Sequence, residues 1–113
     1  MLQKELRVIK KRDFEKTRKR GKYIKGDIAL NFALNRMSIS RAAIIVTKKI
    51  VRKASERNRI KRQIREVIRA NLKNIKPGND LIFILRKNMF GWEYKKIESK
   101  IKEVLEKGSL LNN

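Results

Sequence analysis

The stretch Lys48 to Arg65, written KKIVRKASERNRIKRQIR, constrains the fold more than any other part of the chain. Lys48, Lys49, Arg52, Lys53, Arg57, Arg59, Lys61, Arg62 and Arg65 make half of it basic, and Glu56 is its one acid. A run this basic either stays disordered or forms one face of a helix that meets a polyanion. The apolar spacing decides between the two. Ile60, Ile64, Val67, Ile68 and Ile75 recur at three- and four-residue steps, the mark of an amphipathic helix. Ser55 is the predicted N-cap, and Glu56 in the first turn suits the helix dipole. The helix is expected to run to about Asn74, before the stop signal Lys76-Pro77-Gly78. At about 100° per residue, Asn58, Arg62, Arg65, Arg69 and Lys73 fall opposite the apolar stripe, with Arg59 and Lys61 on its flanks.

Charge and composition say what such a helix can do. The 113 residues carry 32 Lys and Arg against 11 Asp and Glu, a net charge of +21. Repulsion on that scale opposes a compact state unless an anion neutralises it, so phosphate or sulfate should stabilise the free protein. Guanidinium groups bind phosphate oxygens bidentately, and successive helical turns can follow successive phosphates. The Asn58 amide both donates and accepts, so it can meet a base edge or a 2′-hydroxyl. Nucleic-acid binding follows, through backbone and shape more than through base reading, because aromatic residues are few. Cysteine and histidine are both absent. That excludes a disulfide framework, thiolate chemistry, the usual zinc ligand sets and the commonest general base. No carboxylate pair or triad stands out at metal-binding spacing. No apolar run is long enough to span a membrane and no secretory signal is visible, so the expected location is the cytoplasm.

The length fits one domain over residues 1–113, with 1–6 and 109–113 expected to be mobile. A short helix is predicted from about Lys11 to Arg20, ending on Gly21 as a left-handed C-cap, with Phe14 its one large apolar residue. Tyr23 to Asp27 reads as a connector. Ile28 to Asn35 alternates strictly, which places Ile28, Leu30, Phe32 and Leu34 toward the core and Ala29, Asn31 and Ala33 outward. Arg41 to Thr47 is a second strand, and the short link between the two favours an antiparallel hairpin. Lys48 to Ala54 is a basic loop. Asp80 to Arg86 is apolar enough for a strand buried on both faces. Trp92 to Lys107 is an amphipathic helix with Ile97, Ile101, Val104 and Leu105 on one face and Gly108 as C-cap. The order α-β-β-α-β-α gives an α+β two-layer sandwich on a mixed sheet.

Val46-Thr47-Lys48-Lys49, then Arg57-Asn58-Arg59-Ile60-Lys61-Arg62, then Arg65-Glu66 resemble the signature of the bacterial ribonuclease P protein family. Asp13-Phe14 ahead of Gly21 and the strand Asp80 to Arg86 extend the resemblance to about residues 6–107. The resemblance implies a left-handed βαβ crossover, against the usual right-handed rule. It implies partnership with a catalytic RNA that cleaves precursor tRNA at the mature 5′ end using Mg²⁺ held by the RNA, with no catalytic residue on the protein. It assigns RNA contact to Arg57, Asn58, Arg59, Lys61, Arg62 and Arg65. Lys48, Lys49, Arg52 and Lys53 form a basic rim before the helix, and Arg69 continues the stripe. It implies a cleft for the 5′ leader with Phe14 in it. A second cleft aromatic falls at Phe32, although the alternation turns Phe32 to the core; a one-residue slip in register would offer Asn31 instead. Two positions depart from the family. Arg18 stands one turn after Phe14, where the family often has a second aromatic. The loop Ile50 to Ala54 lacks the usual glycine and is one residue longer than common. The competing reading is a small basic ribosomal protein or RNA chaperone, which size and charge fit equally well. Whether the free protein dimerises is left open.

Overall fold

The apolar stripe of the basic helix finds its partner in a four-stranded sheet. The computed structural model describes residues 11–112, so the expected mobile arm at 1–6 lies outside the described residues. In chain order the elements are α1 (Lys11–Arg20), β1 (Lys22–Ile24), β2 (Ile28–Leu34), β3 (Arg41–Ile45), α2 (Ala54–Ala70), a single 3-10 turn (Leu72–Asn74), β4 (Asn79–Leu85) and α3 (Tyr94–Lys107). The sheet runs β1-β2-β4-β3.

Strand β4 takes the centre because every one of its residues is buried, as its unbroken apolar sequence requires. It pairs antiparallel with β2, from Ile28 opposite Leu85 to Leu34 opposite Asn79. On its other edge it pairs parallel with β3, from Arg41 opposite Asp80 to Ile45 opposite Ile84. The predicted hairpin between the second and third strands is therefore wrong. β4 lies between them, and α2 supplies the crossover that a parallel pair needs. The link that carries the chain past the end of β4 is shaped by Asn35. Its backbone N–H donates to the Gly78 carbonyl at 2.9 Å, its Oδ1 accepts from the Met37 N–H at 2.8 Å, and Arg36 adopts a φ of 59°. The segment read as a connector also forms structure: Lys22–Ile24 is an edge strand that pairs antiparallel with β2.

The main core lies between one sheet face and the helices α2 and α3. Ile28, Leu30 and Phe32 meet Ile60, Ile64, Val67 and Ile68 of α2 and Ile97, Ile101, Val104 and Leu105 of α3. Each such side chain contributes about 1.5–3 kcal/mol by leaving water. The other face is not left to solvent. Ala29, Ile82 and Ile84 are buried there, with Phe14, Ala43 and Ile45 packed against them. Helix α1 covers part of this face, so a partial third layer joins the expected two. Ala29 and Asn31, predicted to face outward, are consequently buried, whereas Leu34 is 77% exposed at the end of its strand.

Strand β3 ends at Ile45 rather than Thr47 and α3 begins at Tyr94 rather than Trp92; both ends of α2 and the role of Gly21 also differ from expectation, each for a local reason. Helix α2 begins after Lys53 rather than at Ser55, with no side-chain cap. The Ile50 and Val51 N–H groups both donate to the Thr47 carbonyl, at 3.1 and 3.0 Å, and Val51 is fully buried. The preceding loop is thus already anchored when Arg57 N–H closes the first helical bond onto the Lys53 carbonyl at 3.0 Å. The helix stops at Ala70 because the Asn71 amide bonds the Val67 carbonyl at 2.8 Å and Glu98 Oε2 at 3.0 Å, competing with the backbone ladder. Ile75, still buried, belongs to the following segment. Gly21 is not a left-handed cap: the glycines with positive φ are Gly78 and Gly91. It is needed for close approach, since a Cβ there would sit 2.5 Å from the carbonyl oxygens of both Phe32 and Thr17.

Gly108 caps α3 as expected, but residues 109–112 do not hang free. Leu110 is buried, its carbonyl accepts from Lys76 N–H at 2.7 Å, and Leu111 bridges to Ile75. Sequence missed this docking because the tail is too short to show a period.

Candidate nucleic-acid interface

Because α2 buries its isoleucines against the sheet, its polar residues are forced outward. Asn58, Arg59, Arg62 and Arg69 are exposed, and Lys61 and Arg65 are half-buried beside them. The edge is shorter than the sequence implied. Lys73 lies beyond the helix end on the 3-10 turn, and Arg69 shares an exposed ion pair with Glu66 at 3.5 Å. Such a pair is worth at most about 1 kcal/mol and leaves Arg69 able to exchange partners. Asn58, Arg59, Arg62 and Arg65 form the unencumbered part. The uncapped first turn adds backbone N–H donors and a field that favours anions.

Arg57 does different work from its neighbours. Its Nη1 donates to the Val51 carbonyl at 3.0 Å and to the Arg52 carbonyl at 2.7 Å. It folds the basic loop back against the helix, so that the exposed side chains of Lys48, Lys49, Arg52 and Lys53 border the same helix end. Sequence reading grouped Arg57 with the ligand contacts; the structure gives its guanidinium a positioning job.

The side to which the resemblance assigns the leader is the opposite sheet face. Phe14 on α1 is half-buried against Ala29, Ile82 and Ile84, and Ala43 and Ile45 of β3 continue this floor beyond it. Phe32 is on the core side, as its alternation indicated, packed close to Gly108; its neighbours Arg20, Gly21, Lys22 and Leu34 line a shallow depression of about 400 Å³ with it. Asn31 does face α1, but it is 4% exposed and its Nδ2 donates to the Lys22 carbonyl at 2.9 Å. That bond ties β1 to β2, so neither candidate for a second cleft aromatic or amide stands free beside Phe14. Ala43 and Ile45 are the residues that sequence reading overlooked. A clue was present: both faces of the 41–47 strand are apolar, which a strand covered on one side only would not need.

Arg41 was also overlooked. Its Nε and Nη2 donate to Asp80 Oδ1 and Oδ2 at 2.8 and 2.7 Å, and Nη2 reaches Asp13 Oδ2 on α1 at 3.1 Å. Asn35 Nδ2 completes the set by donating to Asp80 Oδ1 at 3.0 Å. The hydrogen bond to Asp80 is the main reason that the guanidinium holds its proton more tightly than an ordinary arginine; burial opposes it, and Asp13 adds to it. This network joins α1 to β3 and β4 at one point. It also occupies the two carboxylates that converge there, so that Asp13 and Asp80 are ligands of a guanidinium rather than free to take a metal ion.

Fold and site together define a small basic α+β protein that presents one arginine-rich helix edge and, on the opposite sheet face, one partly exposed apolar surface. The family model described as Ribonuclease P matches residues 2–109, and the chain belongs to that family. The ribonuclease P protein component of Clostridium botulinum (strain Loch Maree) is 40% identical over 111 residues, covering 96% of this chain and 99% of that protein. That of Clostridioides difficile is 38% identical, covering 84% of each. Among solved structures, the ribonuclease P protein of Staphylococcus aureus superposes with a TM-score of 0.82 at 28% identity, covering 95% of this chain and 98% of that one. The protein from Thermotoga maritima gives a TM-score of 0.79 at 31% identity, covering 89% and 96%. Membership ties the chain to tRNA processing, as part of an endoribonuclease ribonucleoprotein with an RNA subunit. No helix among the described residues is long and apolar enough to cross a membrane.

Proposed function

We propose that this protein grips a catalytic RNA along α2 and holds the single-stranded 5′ leader of precursor tRNA in the cleft under α1, while the RNA cuts at the mature 5′ end. The observation that carries the reading is the outward edge Asn58, Arg59, Arg62 and Arg65, held rigid by the buried isoleucines behind it. Guanidinium groups on one rigid edge bind phosphates without first losing the freedom of a loose tail. Arg57 sets the basic rim beside that edge, and Arg41 with Asp13 holds α1, and Phe14 on it, against the apolar sheet face that Ala43 and Ile45 continue.

Mg²⁺ held by the RNA would activate the attacking water and stabilise the leaving oxygen. The protein's part is electrostatic and positional. The sequence contains no His or Cys, and the carboxylates that approach one another, Asp13 and Asp80, are engaged by Arg41. The protein alone is therefore expected to be inactive, and a cytoplasmic site of action fits a partner RNA made there. The alternative of a ribosomal protein or general RNA chaperone has the same charge to recommend it, but family membership speaks against it.

Reconstitution tests the proposal. The protein is added to a bacterial ribonuclease P RNA and precursor tRNA at near-physiological Mg²⁺. Cleavage at the mature 5′ end should appear with both components and with neither the protein alone nor, at that Mg²⁺ level, the RNA alone. A protein that gives the RNA no help under these conditions refutes it.

A further inference from the structure

The turn between β4 and α3 holds a phenylalanine out in solvent. Phe90 is 43% exposed although its neighbours are fixed. Met89 is fully buried, and Trp92 packs against the main core. The turn is locked by its own bonds: Phe90 N–H donates to Asn88 Oδ1 at 2.9 Å, and Trp92 N–H donates to the Met89 carbonyl at 3.1 Å. Gly91 takes a φ of 84°, which a side chain would resist. With Met89 filling the inward position, Phe90 has no route into the core. A lone exposed apolar side chain is ordinary. What sets this one apart is that a rigid turn displays it beside the arginine edge. The Arg59 guanidinium carbon lies 5.9 Å from its ring centroid, at the outer limit of a cation–π contact. The Trp92 ring, by contrast, is already covered by Lys96 at 4.0 Å and approached by Lys87 at 5.7 Å. Phe90 is thus the more open ring of the pair, with Arg59 at its edge and the two lysines gathered on Trp92, two residues along the same turn.

We propose that Phe90, with Arg59 beside it, is a stacking site for one unpaired base of the RNA subunit bound along α2. The inference rests on the RNA-binding reading above and adds a base contact to what is otherwise a phosphate-binding edge. An aromatic face accepts any base, and Arg59 beside the ring can meet an adjoining phosphate. The site adjoins α2, which covers the sheet face opposite the one that carries Phe14, so its occupant is the RNA subunit rather than the 5′ leader.

Titration of the full-length protein with a bacterial ribonuclease P RNA tests this. Phe90→Ala should weaken binding about tenfold, within the range that stacking one base contributes, with the salt slope unchanged. Phe90→Tyr should bind like the parent and Phe90→Leu like the alanine variant, because a ring is required and apolar bulk is not. All three should melt within a few degrees of the parent, since the side chain is exposed. Affinity for a single-stranded leader oligonucleotide should not move. Parental RNA affinity in Phe90→Ala, or in Phe90→Leu, overturns the site. So does a loss confined to the leader oligonucleotide, or a change in self-association by sedimentation with RNA affinity intact. Arg62→Ala run alongside separates the two readings. If it weakens binding while Phe90→Ala does not, the α2 edge stands and the stacking site falls. If the parent protein itself fails to bind the RNA, both fall.

Discussion

Replacing Arg41 with methionine removes the group that joins α1, β3 and β4 at one point. Methionine keeps most of the bulk but leaves the Asp80 carboxylate facing only Asn35 Nδ2 at 3.0 Å. The side chains of Arg41 and Asp80 are 10% and 4% exposed, so the orphaned charge cannot be resolvated without opening the sheet. Breaking a buried pair from one side costs about 3–5 kcal/mol. That is a large share of the roughly 5–15 kcal/mol that holds a domain together. The arm to Asp13 is longer, at 3.1 Å, and its carboxylate is better hydrated, so Asp13→Asn should cost only about 1 kcal/mol. Arg41→Met/Asp80→Leu should recover most of the loss, because replacing both members of a buried pair with apolar groups is close to neutral. Urea unfolding followed by the fluorescence of Trp92, at fixed sulfate, measures all four proteins. The raised pKa of Arg41 predicts the pH dependence as well. A cation whose pKa is raised by folding contributes in full below its ordinary value and loses that contribution only as pH climbs through the raised one. The Arg41 contribution should therefore be flat from neutral pH up to the ordinary arginine range, as long as the carboxylates it binds stay ionised. A cost under about 1 kcal/mol for Arg41→Met, or a double variant as unstable as the single, would show that the network does not hold the layers together.

Three further outcomes follow from the geometry. Gly21→Ala should destabilise by about 1–3 kcal/mol in a thermal melt, because its Cβ would meet two backbone oxygens at 2.5 Å that cannot move independently of α1 and β2; an unchanged melt would mean the α1–β2 junction yields easily. Arg62→Ala and Arg65→Ala should each lower the salt slope of RNA binding by roughly 0.7–0.9 per lost phosphate contact, and an unchanged slope would take those side chains off the phosphates. Phe14→Ala should weaken binding of a single-stranded leader oligonucleotide more than binding of the RNA subunit, since its ring is half-buried on the face away from α2; a drop in stability with leader affinity intact would make it an anchor of α1 only.

The sequence by itself determined the elements whose burial is periodic. α2 was legible because Ile60, Ile64, Val67 and Ile68 repeat at helical spacing, and the same repeat fixed which of its arginines face outward. β4 was legible from its unbroken apolar run, and the absence of His and Cys bounded the chemistry before any fold was known. Tertiary structure alone decided what depends on partners distant in the chain. β4 sits between β2 and β3 because it is the strand that needs burial on both faces and on both edges, which a hairpin of neighbours in sequence could not provide. The edge strand β1 and the docked tail are too short to carry a period; β1 is held by the next strand, and the tail by residues more than thirty positions earlier. Arg57, one charge among many in sequence, became a positioning residue through its reach to two carbonyls of the preceding loop. Asn31 is spent on a strand-to-strand bond while Phe32 keeps to the core. Arg41 and Asp80 each look like the polar start of a strand; parallel register brings them together, and that juxtaposition ties α1 to the sheet. Local pattern decides which face of an element is apolar, but only the assembled sheet decides what each face meets.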